Sequence, residues 1–192
     1  MAKSKTIIYF EKVDDMALNF VITATGPDQV GLVDRVTEVL IRYGANVEES
    51  RMARLGGEFS ILILISLPED KAAAFQNGLA ELEKIPLAVS CKKTRTELEP
   101  AFKDYHPYEI TLTGADHEGI VHSVAHFLSE KGINIVSLDT TIHHAPGTGT
   151  PIFSLEARVL VPPAIPLKEL RQDLNAIGDE TGTDIEIKVS LK

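Results

Sequence analysis

Asp28-x-x-Gly31 and Asp116-x-x-Gly119 are the places where this chain is equipped for chemistry. In both, a carboxylate stands three residues before a glycine, where an apolar strand pattern gives way to a helical one. Gly31 and Gly119 lack a β-carbon, so a ligand or another backbone can approach closely. Amide N–H groups at a helix start favour an anion such as a carboxylate. Asp28 and Asp116 can receive an ammonium group, or can cap the helix themselves. Asn46 and Asn134, just beyond each helix, add a neutral donor and acceptor. Neighbouring positions for an anion and a cation suit a free amino acid. The same residues also make sense without a ligand, with Asp as N-cap, Gly as tight turn and Asn as loop closure.

Other candidate groups are weaker. His122 and His126 are four apart on a predicted helix, share a face, and so present two metal ligands. Ser123 stands where a zinc protease motif would carry Glu, and solvated or interface histidines are the favoured reading. His143 and His144 adjoin at a strand end and point to opposite faces, so both rarely serve one ion. The Gly147-Thr148-Gly149 stretch lacks a following Lys-Ser/Thr and a helix, so a long hairpin loop is expected there and not a phosphate cradle. Cys91 shares strand parity with Leu87 and Val89 and reads as a buried, inert thiol. No Ser-His-acid, Cys-His or paired-carboxylate arrangement stands out, so no catalytic residue is assigned.

The elements that position the two loops are written twice. Thr23-x-Thr25-Gly26-x-Asp28-x-x-Gly31, with Val33, Val36, Leu40, Gly44 and Asn46, recurs without a gap 88 positions later, from Thr111 to Asn134. A repeat this long is a small domain used twice. In the first copy Leu18, Phe20, Ile22 and Ala24 alternate as a strand that Gly26-Pro27-Asp28 is expected to break. A helix follows from Leu32 to Tyr43, closed at Gly44. Strands Asn46–Leu55 and Glu58–Leu67 flank Gly56-Gly57, a second helix runs from Pro68 through Leu82, and a strand closes at Leu87–Lys93. The second copy repeats the order, with six residues added in its hairpin, where the offset rises from 88 to 94 at Phe153-Ser154. Each half is βαββαβ, so the fold class is α+β: two ferredoxin-like units in tandem, each an antiparallel sheet with helices on one face. The expected boundaries are a leader at 1–17, a first domain at 18–94, a linker at 95–106 and a second domain at 107–192.

Nineteen basic residues against 28 acidic give a net charge of −9. That balance argues against direct nucleic-acid binding, which depends on clustered Lys and Arg. No apolar run reaches membrane-spanning length and no secretion signal is read. With a single cysteine there is no internal disulfide framework, and the cytoplasm is the expected location.

On these residues, Asp-x-x-Gly at the helix start and Gly-x-Asn at its end, the βαββαβ unit resembles the ACT domain, a regulatory module that commonly binds amino acids. Two such units in tandem resemble the glycine cleavage system transcriptional repressor family, over roughly residues 18–192. The resemblance implies a regulator and not an enzyme: it senses a small amino acid, with glycine the first expectation, and acts through a transcriptional regulator protein. ACT enzymes carry a separate catalytic domain, for which no length remains. It also implies a homodimer or an intramolecular ACT pair, and no cofactor beyond the effector. By position, the ligand loop carries over to Gly26, Asp28, Gln29, Val30 and Gly31, with Asn46 facing it. In the second copy it carries to Gly114, Asp116, His117, Glu118, Gly119 and Asn134. Val30 and Glu118 replace the frequent Pro of this loop, so its geometry departs from the common form. A ligand-independent interaction module is the alternative, and a metal- or nucleotide-dependent enzyme ranks third.

Overall fold

The computed structural model describes residues 17–95 and 102–190. The expected leader lies outside these residues except for Ala17, as do residues 96–101 of the expected linker. The chain divides between Glu97 and Leu98 into two compact units.

In the first unit, β1 (Ala17–Pro27) turns Phe20, Ile22 and Ala24 inward and Val21, Thr23 and Thr25 outward, as alternation requires. Helix α1 (Leu32–Arg42) buries Leu32, Val36, Val39 and Leu40, one stripe at helical spacing. β2 (Asn46–Leu55) and β3 (Glu58–Pro68) form the hairpin about Gly56-Gly57. Helix α2 (Ala72–Leu79) and β4 (Ala88–Thr94) complete the unit. The antiparallel sheet has the order β2-β3-β1-β4. Its inward residues meet α1 and α2 in one core around Ile22, Val36, Leu40, Ile63, Ile65 and Phe75. Burying a side chain of this kind contributes about 1.5–3 kcal/mol.

Two expectations are corrected here. Gly26-Pro27 does not break the strand: Gly26 pairs with Phe59 and Pro27 with Glu58. Pro at the last position of a strand forfeits little, because the ladder ends there. The second helix is also interrupted: a 3₁₀ turn at Glu69–Lys71 precedes α2, and another at Leu82–Lys84 follows it. Gly78 lies under the Tyr43 ring and is a weak helix former, and the helix ends just beyond it.

The second unit contains β5 (His106–Ala115), α3 (Ile120–Glu130), β6 (Asn134–His144), β7 (Pro151–Val161), α4 (Leu167–Thr181) and β8 (Thr183–Val189). Its sheet order, β6-β7-β5-β8, is that of the first. A separate core gathers Ile110, Leu112, Val124, Leu128, Leu155 and Leu170. Lys131, just past α3, places its Nζ 2.6 Å from the Asp173 carboxylate and 3.7 Å from that of Glu169, both on α4. Both units shift register at the same point of the edge strand, between Val47 and Glu49 and between Ile135 and Ser137. The repeat therefore extends to its irregularities.

Candidate functional site

In each unit the first strand delivers the chain to a four-residue loop, and a left-handed glycine turns it into the helix. Gly31 has φ +91° and Gly119 φ +93°, and these glycines are the N-caps of α1 and α3. A side chain is strained at such a backbone angle, and glycine is not. The reading of Asp28 and Asp116 as N-caps is therefore overturned. The glycine occupies the capping position, the carboxylate lies three residues back, and no side chain caps either helix. The first intrahelical bonds run from the Arg35 N–H to the Gly31 carbonyl (3.0 Å) and from the Ser123 N–H to the Gly119 carbonyl (2.9 Å). The amides of Leu32, Val33 and Asp34 precede any intrahelical acceptor and mark the electropositive end of α1.

The first loop borders a depression of about 360 Å³ lined by Asp28, Gln29, Gly31, Leu32, Val33, Asp34 and Phe59. Asp28 donates its backbone N–H to the Gly57 carbonyl (2.9 Å), which pins the loop to the β2–β3 turn. Its carboxylate stands 3.8 Å from the Arg54 guanidinium, a loose and exposed pair. Val30 is fully exposed and contributes no lining. Chemically the depression offers amide donors for a carboxylate, Asp28 for an ammonium and Phe59 as an apolar wall.

Arg54 and Phe59 escaped the sequence reading. The signal was present in the Gly56-Gly57 turn, which sets Arg54 opposite Phe59, and Phe59 opposite Gly26. Both residues therefore sit at the sheet end that carries the loop.

Two pairs of sequence-assigned residues, Gly26 with Gly114 and Asn46 with Asn134, sit differently. Gly26 lies behind the loop: a β-carbon there would overlap the backbone oxygen of Pro86. Gly114 is packed in the same way against Thr183, whose Cγ2 lies 2.6 Å from a built β-carbon. Both are packing glycines. Asn46 pairs in register with Ser66, which pairs with Asn19, whereas the loop follows Pro27. Seven steps of about 3.4 Å put Asn46 roughly 24 Å from Gly26, at the opposite end of the sheet. Helix α1 runs back along the sheet, so β2 must start where β1 starts. Asn46 thus does not face the loop of its own unit, and instead donates to the Glu48 carboxylate (2.9 Å). With Ser66, then Asn46, bonded to it, that carboxyl is held below its usual range. Asn134 pairs with Leu160, opposite Pro107, and is likewise far from Asp116.

The second loop is built differently. Asp116 donates its N–H to the Pro151 carbonyl (3.3 Å). Both His117 ring nitrogens lie on carbonyl oxygens, Nδ1 3.0 Å from Glu118 and Nε2 2.8 Å from Thr181. Ile142 occupies the place of Arg54 opposite Phe153.

His122 and His126 stack at 5.7 Å between ring centroids, and His126 Nε2 lies 3.4 Å from Glu130. Among the described residues no group of three or more His, Cys, Asp or Glu side chains is placed to hold a metal ion. The loop between β6 and β7 uses its donors internally, Ala145 N–H to the Thr150 carbonyl (2.8 Å) and Gly149 N–H to the Ala145 carbonyl (3.0 Å). Burial pushes the Cys91 thiol up, away from reactive thiolate. Among the described residues no helix is long and apolar enough to cross a membrane.

A split βαβ sheet with a glycine-opened helix start, present twice, defines the class as a tandem of ferredoxin-like units, and comparisons give the family. The ACT domain model matches residues 19–89. A UPF0237 protein of Methanosarcina mazei is 33% identical over 89 residues, which cover 45% of this chain and 92% of the relative. The chain belongs to the ACT-domain family, with the unit present twice. A stretch of 46 residues is 46% identical to the glycine cleavage system transcriptional repressor of Escherichia coli and spans 24% of each chain. The solved structure of an unknown protein from Galdieria sulphuraria superposes with a TM-score of 0.79 at 34% identity, over 91% of this chain and 99% of that one. The tandem arrangement is thus shared along nearly the whole length.

Proposed function

We propose that this chain is an amino-acid-sensing regulator of the glycine cleavage repressor type, without catalytic activity of its own. A small amino acid, glycine first, binds at the Asp28–Gly31 loop, and the Asp116–Gly119 loop is its counterpart. The observation that carries this reading is the uncapped start of α1 beside the Asp28 carboxylate, over the depression faced by Phe59. The amides receive the carboxylate and Asp28 the ammonium. Occupancy shifts the protein between states by differential affinity, and the output passes by contact to a transcriptional regulator. The −9 charge supports a protein that works through such a partner and does not grip DNA itself. The cytoplasm suits the lone Cys91.

One observation favours the second reading, a ligand-independent docking module: β2 forms a sheet edge and is exposed along its whole length. A second copy of the chain pairing along such an edge would give the homodimer expected of the family.

A calorimetric and thermal-shift panel of the common amino acids separates the two readings. On the sensor reading, one of them raises the melting temperature by mass action, worth about 2.7 kcal/mol at a hundred times Kd. Asp28→Ala then weakens that binding about ten-fold or more, because a charge-assisted contact is lost. No response at millimolar concentration, with a stable co-purifying protein, would leave the docking module.

A further inference from the structure

The six histidines of this chain all lie between positions 106 and 144, and one of them occupies a ligand loop. We infer that His117 is a proton-operated clamp that sets the shape of the second loop. Held as imidazolium, it donates from both ring nitrogens and fastens the loop to the C-terminal end of α4. When it gives that proton to water, it keeps one of its two bonds.

The geometry requires this. A carbonyl oxygen can only accept, and both ring nitrogens face one, at 3.0 and 2.8 Å. The neutral ring carries a single N–H, so its other nitrogen would present a lone pair to an oxygen lone pair. Only the cation satisfies both. Thr181 is the last residue of α4, where helix carbonyls lack intrahelical partners and a cation is favoured. The surroundings agree in sign. Asp116 and Glu118 lie in the loop, Asp179 and Glu180 in the last turn of α4 and Asp184 at the start of β8, while Lys188, the one cation of β8, lies near its other end beside Glu186. The Glu118 carbonyl, then that of Thr181, then the Asp116 charge hold the imidazole above its ordinary range. The corresponding residue of the first loop is Gln29, which does not titrate. One loop is therefore sensitive to pH through this position and the other is not.

That protonation of His117 also sets effector affinity at the second loop rests on reading this loop as an amino-acid site; the clamp itself does not. The sign follows from linkage. A folded-state pKa above the unfolded value adds stability that is full below the unfolded value, near 6.5 for histidine, and fades as pH rises through the folded value.

The test is a titration of the imidazole signals of the whole chain by nuclear magnetic resonance, with His117 assigned by comparison with His117→Gln. The expected midpoint lies above about 6.5. The melting temperature of the native chain should exceed that of His117→Gln at roughly pH 5 and converge toward it by about pH 8.5. A midpoint at or below the free-histidine value, or a difference that stays constant with pH, would overturn the clamp. If His117→Gln does not fold, through-bond assignment of the six imidazoles in the native chain identifies His117, and its midpoint still decides. A panel in which no amino acid binds, with His117 titrating high, would defeat the sensor reading and leave the clamp standing.

Discussion

Phe75→Ala should unfold the first unit at a temperature at which the second keeps its fold. Phe75 is fully buried in α2, with its ring 6.3 Å from Phe20 and 5.9 Å from Tyr43. Removing it takes away its transfer energy and leaves a cavity that β1 and α1 cannot fill, at a cost of about 3–5 kcal/mol. Total stability for a domain is about 5–15 kcal/mol, and small domains sit low in that range. At about 4–8 °C per kcal/mol for a unit of this size, the first unit should melt about 12 °C lower or more. The cores do not share residues, one built from 20–87 and the other from 110–187. Amide hydrogen exchange is therefore the deciding measurement: protection should fall across β1, β3 and α2 and persist in β5, β7 and α4. An equal loss in both halves would mean that the units do not hold their stability separately. The ligand arm is sharper still, since binding at the Asp28 loop should vanish with the first unit.

Most of the fold was legible because it rests on two periodicities. Alternation placed Phe20, Ile22 and Ala24 on the inner face, helical spacing placed Val36 and Leu40 over them, and the gapless repeat carried the result to Ile110, Leu112, Val124 and Leu128. Pattern reading failed where a residue answers to something distant in sequence. Gly26 looked like a strand breaker and a ligand residue, but its partner is the Pro86 carbonyl, sixty residues on. Asn46 was placed by proximity in sequence to α1, although the direction of the helix carries it to the far end of the sheet. Asp28 is expected at the capping position, which a left-handed glycine occupies instead, leaving the helix amides without a side-chain cap. His117 is expected from the sequence as a ligand-loop residue, and its bond to the end of α4 is not legible there, because the Thr181 carbonyl lies 64 residues on. At Gly26, Asn46 and His117 a partner distant in sequence decides the role, and at Asp28 the left-handed backbone of Gly31 does.

Gly26→Ala and Gly31→Ala should divide packing from recognition within one motif. At Gly26 the obstacle is the Pro86 backbone oxygen, which is held by the segment leading into β4 and cannot rotate aside. Gly26 is not among the glycines with positive φ, so conformation is not what requires glycine there. An added methyl must push β1 and the Pro86 segment apart, and overpacking of this kind costs about 1–3 kcal/mol, with the upper end expected against backbone. At Gly31 nothing lies within 4 Å of the new carbon, and the obstacle is the left-handed backbone itself. That strain is about 1–2 kcal/mol for a residue with a side chain. Relaxing it moves the N-cap and re-aims the amides of Leu32, Val33 and Asp34. Gly26→Ala should therefore lower the melting temperature more, while a ligand identified in the panel keeps its affinity for whatever fraction is folded. Gly31→Ala should lose affinity out of proportion to stability. Titration calorimetry at a temperature where both variants are folded reads the difference. If Gly31→Ala binds as well as the native chain, the glycine-opened helix start is not where the effector sits.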